Sequence, residues 1–262
     1  MTELVPNNWI HLQELLFADI FSGGLNRHRS SLVYRGLSDI AYPLNTGLIR
    51  LGGNFKSLER NLLRNFRKYA GKKEYDDYTI WNWLSLAQHH GLPTRLLDWT
   101  FSPYIALHFA TSNVDKYDRD GVIWCVDFEK ASELLPDAFK QMLAQENAVG
   151  FSVEMMNQLC ASLDDFDNLG RQCGDFILFI DPPSMDERII NQYALFSILP
   201  NPETIVNDFL DKHPELCKKV IIPASLKWEI RDKLDQANIT ERVLFPGLDG
   251  LSMWMKRWYS PR

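Results

Sequence analysis

Apolar residues recur every three or four positions in the first part of the chain, which is the spacing of helices that bury one stripe. The first such segment contains Trp9, Leu12, Leu15, Leu16 and Ile20 and ends before Gly23-Gly24; the second, capped by Ser57, contains Leu58, Leu62, Phe66 and Tyr69; the third begins at Thr79, contains Ile80, Trp83, Leu84 and Ala87, and stops at Gly91. Ser102-Pro103 suits a helix start and predicts a fourth helix that ends near Ser112.

Short runs rich in β-branched and aromatic residues predict strands. They are SLVYRG in the first half and GVIWCVDF, DFILFIDPP, YALFSIL and KKVIIP in the second. SLKWEIRDKLDQAN, with Leu226, Ile230 and Leu234 on one side, predicts another helix. Helices thus dominate the first half and strands the second. The order predicts a single α+β domain over residues 1–262 rather than a regular βαβ series.

Composition excludes several classes of protein. The 262 residues are 45% apolar, with a formal net charge of −6, so we expect a folded core without a generally basic surface. The four cysteines are scattered without a C-x-x-C pair, which predicts reduced thiols and neither a zinc site nor a disulfide framework. We expect no export signal, membrane span or Gly-rich phosphate loop, and hence a cytoplasmic protein.

The stretch LAQHHGLPTRLLDWTFSPYIALHFA crowds polar side chains into an apolar background. His89 and His90 lie in the last turn of a predicted helix, where the dipole favours a protonated imidazole for proton transfer or anion contact. A simple hydrogen bond to a carbonyl explains them equally. Arg95 lies between leucines and needs a carboxylate partner; Asp98 is the nearest in sequence, although adjacent side chains of an extended segment point apart.

Thr100 and Ser102 come just before the Ser-Pro helix, whose free N–H groups attract anions. This arrangement suits a phosphate or pyrophosphate, while simple capping by Ser102 explains it without a ligand. The residues alone therefore indicate an anion-binding loop and no particular reaction.

Five blocks together resemble the FRG domain in order and spacing. They are YRG at Tyr34 to Gly36, the helix of Glu59 to Phe66, AQHHGLPTRLLDWT at Ala87 to Thr100, SPYIALHFA at Ser102 to Ala110, and RIINQYALF at Arg188 to Phe196. Tyr34 stands where the family name has Phe, and VLFPGLDGL (Val243 to Leu251) is similar to the tail of such proteins. The resemblance implies a motif core of about residues 30–200 and a C-terminal strand–helix extension over 215–262.

FRG domains are similar in motif layout to ADP-ribosyltransferases, and the resemblance implies their fold. We therefore expect a helical N-terminal half packed on a mainly antiparallel split β-sheet, with NAD as co-substrate. Arg35 would bind the pyrophosphate or adenosine ribose, Thr100 and Ser102 would support the nicotinamide ribose, and a ring of Tyr34 or Phe109 would lie against nicotinamide. The expected cofactor-binding set is Tyr34, Arg35, Gly36, Thr94, Arg95, Thr100, Ser102 and Phe109.

Transfer from NAD breaks a glycosidic C–N bond and calls for a carboxylate that stabilises developing positive charge. The late strand carries Gln192 where many transferases have Glu. Either Asp98 or Glu187 then replaces that carboxylate, and His89 is a candidate base for the acceptor. The alternative is structural: Arg35 pairs with Asp98 or Glu59 in the core, Gln192 satisfies backbone at a sheet edge, and the aromatic rings belong to the core.

Three functions follow from this resemblance and these residues. The first is a bacterial ADP-ribosyltransferase toxin, of a toxin–antitoxin or anti-phage system, which modifies nucleic acid (mRNA favoured) or protein and is held by an antitoxin protein. The second is a non-catalytic nucleotide- or phage-sensing module, and the third is a nuclease or other hydrolase that uses His89 and Asp98. Arg60, Arg64, Arg67 and Lys68, followed by Lys72 and Lys73, form either a nucleic-acid-binding strip or a solvated helix face.

Overall fold

The computed structural model describes residues 1–18, 26–70, 75, 77–183 and 187–260, and the backbone of residues 21–22. Its strands are β1 (Thr2–Leu4), β2 (Phe21–Ser22), β3 (Arg27–His28), β4 (Leu32–Leu37), β5 (Leu97–Thr100), β6 (Gly121–Asp127), β7 (Leu178–Ile180), β8 (Ala194–Ile198) and β9 (Cys217–Ile222). Seven of them form one sheet in the order β1-β9-β6-β4-β5-β8-β7, and β2 pairs with β3 separately. Within the main sheet β1 and β9 are parallel and the other neighbours antiparallel, which confirms the prediction of a mainly antiparallel sheet.

The sheet is weakly joined between β4 and β5. Strand β4 pairs with β6 along its whole length, from Leu32 to Leu37, whereas in the described residues it meets β5 at Tyr34 and Thr100 alone. Beyond that pair the two strands diverge. All seven strands are hydrogen-bonded into one sheet, so the predicted split exists here only as a local opening, and a pocket occupies it.

Fourteen helices are described, and they flank the sheet. They are α1 (Trp9–Leu16), α2 (Gly47–Leu51), α3 (Phe55–Ala70), α4 (Ile80–His89), α5 (Pro103–Ala110), α6 (Phe128–Ser132), α7 (Asp137–Glu146), α8 (Val153–Leu159), α9 (Leu163–Cys173), α10 (Glu187–Asn191), α11 (Val206–Lys212), α12 (Lys227–Gln236), α13 (Glu241–Leu244) and α14 (Leu248–Trp258). The predicted caps of α4 and α5 are confirmed: Thr79 Oγ1 accepts from Asn82 N, Gly91 has a φ of +80°, and Ser102 Oγ accepts from Ile105 N.

The prediction of a helical first half and a strand-dominated second half is wrong. Helices α6 to α9 occupy most of residues 128–173, between strands β6 and β7, and five more helices follow. These helices are short, and several bury a pair of apolar residues three or four positions apart, such as Phe139 with Leu143 and Leu163 with Phe166. A pattern of so few residues is a weaker signal than the continuous apolar runs of the strands.

Helix α3 differs from its predicted form at both its start and its buried face. It begins at Phe55, and Ser57 lies inside it, where its hydroxyl donates to the Asn54 carbonyl instead of capping the helix. The residues it buries are Glu59 and Leu63, while Leu58 and Tyr69 are exposed. A charged residue therefore faces the core, because it has a buried partner on another segment. Ile20, Gly23, Gly24, Lys72 and Lys73, named in the sequence predictions, lie outside the described residues.

The core has a separate cluster on each face of the sheet. Along β6, Val122, Trp124 and Val126 join a cluster with side chains of α6 and α11, while Ile123 and Cys125 face α1, α5 and α12. A third cluster packs α3, α4 and α7 to α9 against β7 and β8. Helices α4 and α5 are therefore fixed on either side of β5, and their ends reach the opening of the sheet.

Candidate functional site

A pocket of about 380 Å³ lies where β4 and β5 diverge. Its walls come from strands β4, β5 and β8, helices α2, α5 and α10, the end of α4 with the loop that follows it, and the segment after α13. Its polar lining includes Arg35, Arg50, Gln88, His89, Asp98, Arg188 and Gln192. Residues from distant parts of the chain therefore meet in one concave site, and its volume lies in the range of small-molecule sites, roughly 300–1,000 Å³.

Arg35 crosses the opening from β4 to β5. Its Nη1 donates to the Asp98 carbonyl and lies 3.8 Å from the carboxylate Oδ2 of the same residue. The Nε of Arg35 is buried and has no hydrogen-bond partner among the described residues. Burial lowers the pKa of this guanidinium, the Asp98 charge opposes that shift, and nearby Arg50 adds to it. A buried N–H without an acceptor is costly, and an acceptor on a ligand in the pocket would remove that cost.

The Asp98 carboxylate is held by a hydrogen-bonded chain of side chains. Gln88 Nε2 donates to both of its oxygens, at 3.0 Å each, and Gln88 Oε1 accepts from Thr94 Oγ1 at 2.5 Å. The Thr94 hydroxyl thereby determines which end of the Gln88 amide faces Asp98. The carboxylate is oriented yet still 56% exposed, so it is accessible from the pocket.

Two further arginines make the pocket basic. Arg50, at the end of α2, donates from Nε and Nη2 to the Asn45 carbonyl, and α2 is tied to the pocket loop because Leu48 N donates to the Thr94 carbonyl. Arg188 lies with its guanidinium 5.0 Å from the centre of the Phe245 ring. The described lining thus contains three guanidinium groups and one carboxylate, in a protein of net charge −6. This local charge favours an anionic ligand.

The structure brings eight of the predicted site residues to this pocket: Tyr34, Arg35, Gly36, His89, Asp98, Thr100, Phe109 and Gln192. Tyr34 borders it, but its ring belongs to the core with Leu12 and Leu16, and its hydroxyl lies at hydrogen-bond distance from the Leu16 carbonyl and Ser30 Oγ. Burial raises the pKa of Tyr34 to about 12. Phe109 is half-buried and meets Phe245 edge-on at 6.3 Å, so it is the better placed of the two predicted rings.

Gly36 has a packing role that explains the third residue of the YRG motif. A Cβ atom at this position would lie 1.8 Å from the Ala106 carbonyl oxygen and 2.8 Å from the Ala110 nitrogen. Only glycine lets α5 approach β4 so closely. The motif therefore places Arg35 next to a glycine that lets α5 pack closely against β4 beside the opening.

Thr100 and Gln192 lie at one end of the pocket, where their side chains hydrogen-bond to the backbone of neighbouring segments. Thr100 Oγ1 donates to the Gln192 carbonyl at 2.8 Å, and Gln192 Nε2 donates to the Leu244 carbonyl at 2.9 Å. Gln192 lies between α10 and β8, so its predicted place on the late strand is wrong. Its left-handed neighbour Tyr193, with a φ of +47°, makes the turn into the strand. The amide therefore holds the C-terminal segment that carries Phe245.

Four predicted site residues lie outside the described lining: Thr94, Arg95, Ser102 and Glu187. Thr94 acts through Gln88, Ser102 caps α5, and Glu187 is exposed in the first turn of α10. Arg95 is a buried structural residue, paired with Glu59 and Asp167 and donating to the Pro200 carbonyl. The internal pairing considered for this arginine is thus observed, although neither carboxylate is Asp98.

His89 lines the pocket, whereas His90 does not and is exposed. The two rings meet edge-on at 5.1 Å, and the backbone carbonyl of His89 lies 3.5 Å from Arg188 Nη1. This contact links the end of α4 to α10 across the pocket.

The residues that sequence reasoning missed are Gln88, Arg50, Arg188 and Phe245. Gln88, Arg188 and Phe245 lie inside blocks that the FRG resemblance already covers, so their position in those blocks was the available signal. Arg50 follows a capped helix, in which Thr46 Oγ1 accepts from Ile49 N, and nothing in its local pattern points to a site.

Comparison with known protein families supports the resemblance for part of the chain. Residues 30–119 match the FRG domain. That range contains Arg35, Gln88, His89 and Asp98, whereas Arg188, Gln192 and Phe245 lie beyond it. Neither a comparison with curated proteins nor one with solved structures gives a match.

Two further observations concern the described residues as a whole. None of their helices combines the length and the apolar character needed to cross a membrane. In the same residues, no three His, Cys, Asp or Glu side chains come together as a metal-binding group.

Proposed function

We propose that the pocket binds NAD and that the protein is an ADP-ribosyltransferase, acting as a growth-inhibiting toxin that modifies nucleic acid, with RNA the favoured acceptor. The observation that carries this proposal is the pairing of an arginine-lined pocket with an oriented carboxylate, that of Asp98, at the opening between β4 and β5. The toxin context and the choice of acceptor rest on the FRG resemblance.

The charge of the pocket suits the pyrophosphate of NAD. Guanidinium groups bind phosphate oxygens through their fork of N–H donors, and Arg35, Arg50 and Arg188 reach the pocket from three different elements. Arg35 is the strongest candidate, because its side chain is 15% exposed and its Nε needs an acceptor. The half-buried ring of Phe109 gives an apolar surface for a flat nicotinamide or adenine ring.

Asp98 supplies the carboxylate that the chemistry requires. When nicotinamide leaves NAD, positive charge develops on the ribose, and a fixed carboxylate stabilises such charge without having to reorganise. Gln88 orients Asp98, whereas Glu187 lies outside the described lining and Gln192 carries no charge. The site therefore favours Asp98 over Glu187 as the catalytic carboxylate. His89 lines the pocket and is the candidate base for the acceptor.

The test is transfer of label from NAD that is radioactive in its adenylate part to a whole-cell extract. After incubation with the purified protein, aliquots are digested with RNase, DNase or protease, and we expect RNase to remove the incorporated label. The variant Arg35→Ala should abolish both incorporation and nicotinamide release while its far-UV circular dichroism matches that of the wild type. Nicotinamide release retained in Arg35→Ala would contradict the assigned site.

A second function, a non-catalytic nucleotide-sensing module, is favoured by one observation. The one carboxylate in the described lining lies 3.8 Å from Arg35, so part of its charge is already neutralised. For such a module NAD should raise the thermal unfolding midpoint of the wild type while every molecule of NAD stays intact. Loss of NAD from that sample would exclude the binding-only function.

A further inference from the structure

Helix α3 carries a row of cations along one side. Lys56, Arg60, Arg64, Arg67 and Lys68 follow one another at intervals of one to four residues, and all are exposed. At about 1.5 Å per residue the row spans roughly 18 Å. This is the length of several nucleotide units, in a protein whose overall charge is negative.

Three of the five cations are available to a ligand. Lys56 is paired with Glu203, and Arg60 with Asp164. Among the described residues, Arg64, Arg67 and Lys68 have no carboxylate at ion-pair distance: Arg64 donates to the Asn61 amide oxygen, Arg67 lies 5.5 Å from the Trp83 ring centre, and Lys68 lies 5.5 Å from the Tyr69 ring centre. In the described part of the chain these three side chains are therefore not ion-paired, and Asp164, the partner of Arg60, is the acid that lines a hollow with Arg64 and Arg67.

The same residues line two adjoining hollows, which we call the α3 groove. One, of about 360 Å³, includes Arg60, Arg64, Arg67 and Tyr78; the other, of about 370 Å³, includes Arg64, Arg67, Lys68 and Tyr75. Arg64 and Arg67 line both hollows, so the two hollows adjoin at these side chains. Next to Lys68, the Tyr69 ring is 80% exposed.

We propose that the α3 groove binds a single-stranded polynucleotide. Guanidinium and ammonium groups spaced along a groove contact successive phosphates, and aromatic rings beside them accept unstacked bases regardless of sequence. Tyr69, already under the Lys68 ammonium, presents a ring of this kind. The alternative, a helix face that is merely solvated, does not explain why these cations line hollows together with Tyr75 and Tyr78.

An ion pair connects helix α3 to the segment that leads into the strand of Asp98. Glu59, on the buried side of α3, pairs with Arg95, and the segment after Arg95 becomes strand β5 with Asp98. Binding of a polynucleotide to the groove does not depend on what the pocket does. The groove's role as the docking surface for the acceptor of ADP-ribose does rest on the proposed function.

The experiment is fluorescence anisotropy with labelled oligonucleotides of about 20 nucleotides: single-stranded RNA, single-stranded DNA and the RNA duplex. The test variant is Arg64→Gln/Arg67→Gln/Lys68→Gln, and its matched control is Lys130→Gln/Lys140→Gln/Lys212→Gln, which removes three exposed positive charges elsewhere. A second variant, Arg64→Gln/Lys68→Gln, keeps the stacking of Arg67 on Trp83 in case the triple variant is unstable.

We expect single strands to bind more tightly than the duplex and the test variant to lose at least tenfold in affinity, with the control close to the wild type. Since each phosphate contact contributes about 0.7 to the slope of log K against log salt for single strands, the slope should fall by about 2 in the triple variant. Equal loss in test and control variants, unchanged binding in the test variant, or tighter binding of the duplex would each overturn the proposal.

Failure of the groove proposal can be distinguished from failure of the transferase proposal when the wild type is measured in both the anisotropy assay and the label-transfer assay. Oligonucleotide binding that depends on Arg64 and Lys68, with NAD left intact, contradicts the transferase and retains the groove. Transfer of label to RNA, with anisotropy indifferent to the groove variants, retains the transferase and contradicts the groove.

Discussion

Arg35 and Arg95 come from the two most distinctive motif blocks, and the protein uses them in opposite ways. Arg95 is 3% exposed, and its guanidinium donates to Glu59, Asp167 and the Pro200 carbonyl. Arg35 is partly open to the pocket, has one carboxylate at 3.8 Å, and keeps a buried Nε without a partner among the described residues.

The pKa values of the two guanidinium groups are also shifted in opposite directions. Burial alone would lower the pKa of Arg95, but hydrogen bonds and charge from Glu59 and Asp167 raise it overall. For Arg35 burial prevails, and the pKa is lowered. A fully satisfied buried arginine indicates a structural fastening, whereas an incompletely satisfied arginine that faces a cavity indicates a ligand site.

The largest expected effect is on stability, from removing Arg95 and with it the buried ion pairs to Glu59 and Asp167. Arg95→Met leaves the Glu59 and Asp167 carboxylates buried without their cation, so we expect a loss of about 3–5 kcal/mol in the free energy of unfolding. Urea denaturation measures it. Arg35→Met is the matched control, and it should lose no more than about 1 kcal/mol because its carboxylate partner is exposed. Equal losses in the two variants would contradict the distinction between the two arginines.

The rate of nicotinamide release should depend most strongly on Arg35. Arg35→Ala should lower the rate of nicotinamide release on the order of 100-fold or more, because a preorganised charge in the pocket is gone. Arg50→Ala, on the rim of the same pocket, should show a smaller loss. The measurement is initial rate against NAD concentration. A larger loss in Arg50→Ala would place the principal phosphate contact on α2 instead of β4.

A third buried arginine, Arg231, contacts His108 and makes the stability of the protein depend on pH. Arg231 is fully buried, lies 2.8 Å from His108 Nδ1 and, like Arg35, has a buried Nε without a partner in the described residues. Burial, together with the positive charges of Arg231 and Arg257, lowers the pKa of His108 to about 3, and Glu241 opposes the shift.

The unfolded chain takes up the His108 proton near pH 6.5, which the folded protein does not do until about pH 3. Stability from this residue is therefore present above pH 6.5 and is lost as the pH falls from there toward 3, by up to about 1.4 kcal/mol per pH unit. Urea denaturation at a series of pH values measures the slope, which His108→Asn should reduce. An unchanged slope in that variant would assign the acid sensitivity to other groups.

The smallest expected effect comes from the residue that positions Asp98. Gln88→Met removes the two hydrogen bonds to the carboxylate at similar side-chain volume, and we expect about a tenfold fall in kcat with a nearly unchanged KM. Thr94→Val should reproduce part of this fall, because it frees the Gln88 amide to rotate. A change confined to KM would mean that Gln88 contacts NAD directly.

Local sequence signals determined the elements on which the site is built. Thr79 and Gly91 bound α4, Ser102 and Pro103 start α5, and the SLVYRG run forms β4, because caps and strand propensity depend on residues close together in the chain. Arg35 and Asp98 were candidates from the FRG resemblance, which is confirmed over residues 30–119. The transferase activity stays a prediction.

Only the tertiary structure decided which charges meet. Helical periodicity predicted that Leu58 is buried, yet Leu58 is exposed. Glu59 is buried instead, and its partner is Arg95 of another segment and not Arg35, the partner considered from the sequence. Arg50 and Arg188 join Arg35 across the opening because β4 and β5 diverge after a single pair in the described sheet. Periodicity describes which face of an element is apolar; the partner that makes a buried charge tolerable, or leaves it free for a ligand, lies far away along the chain.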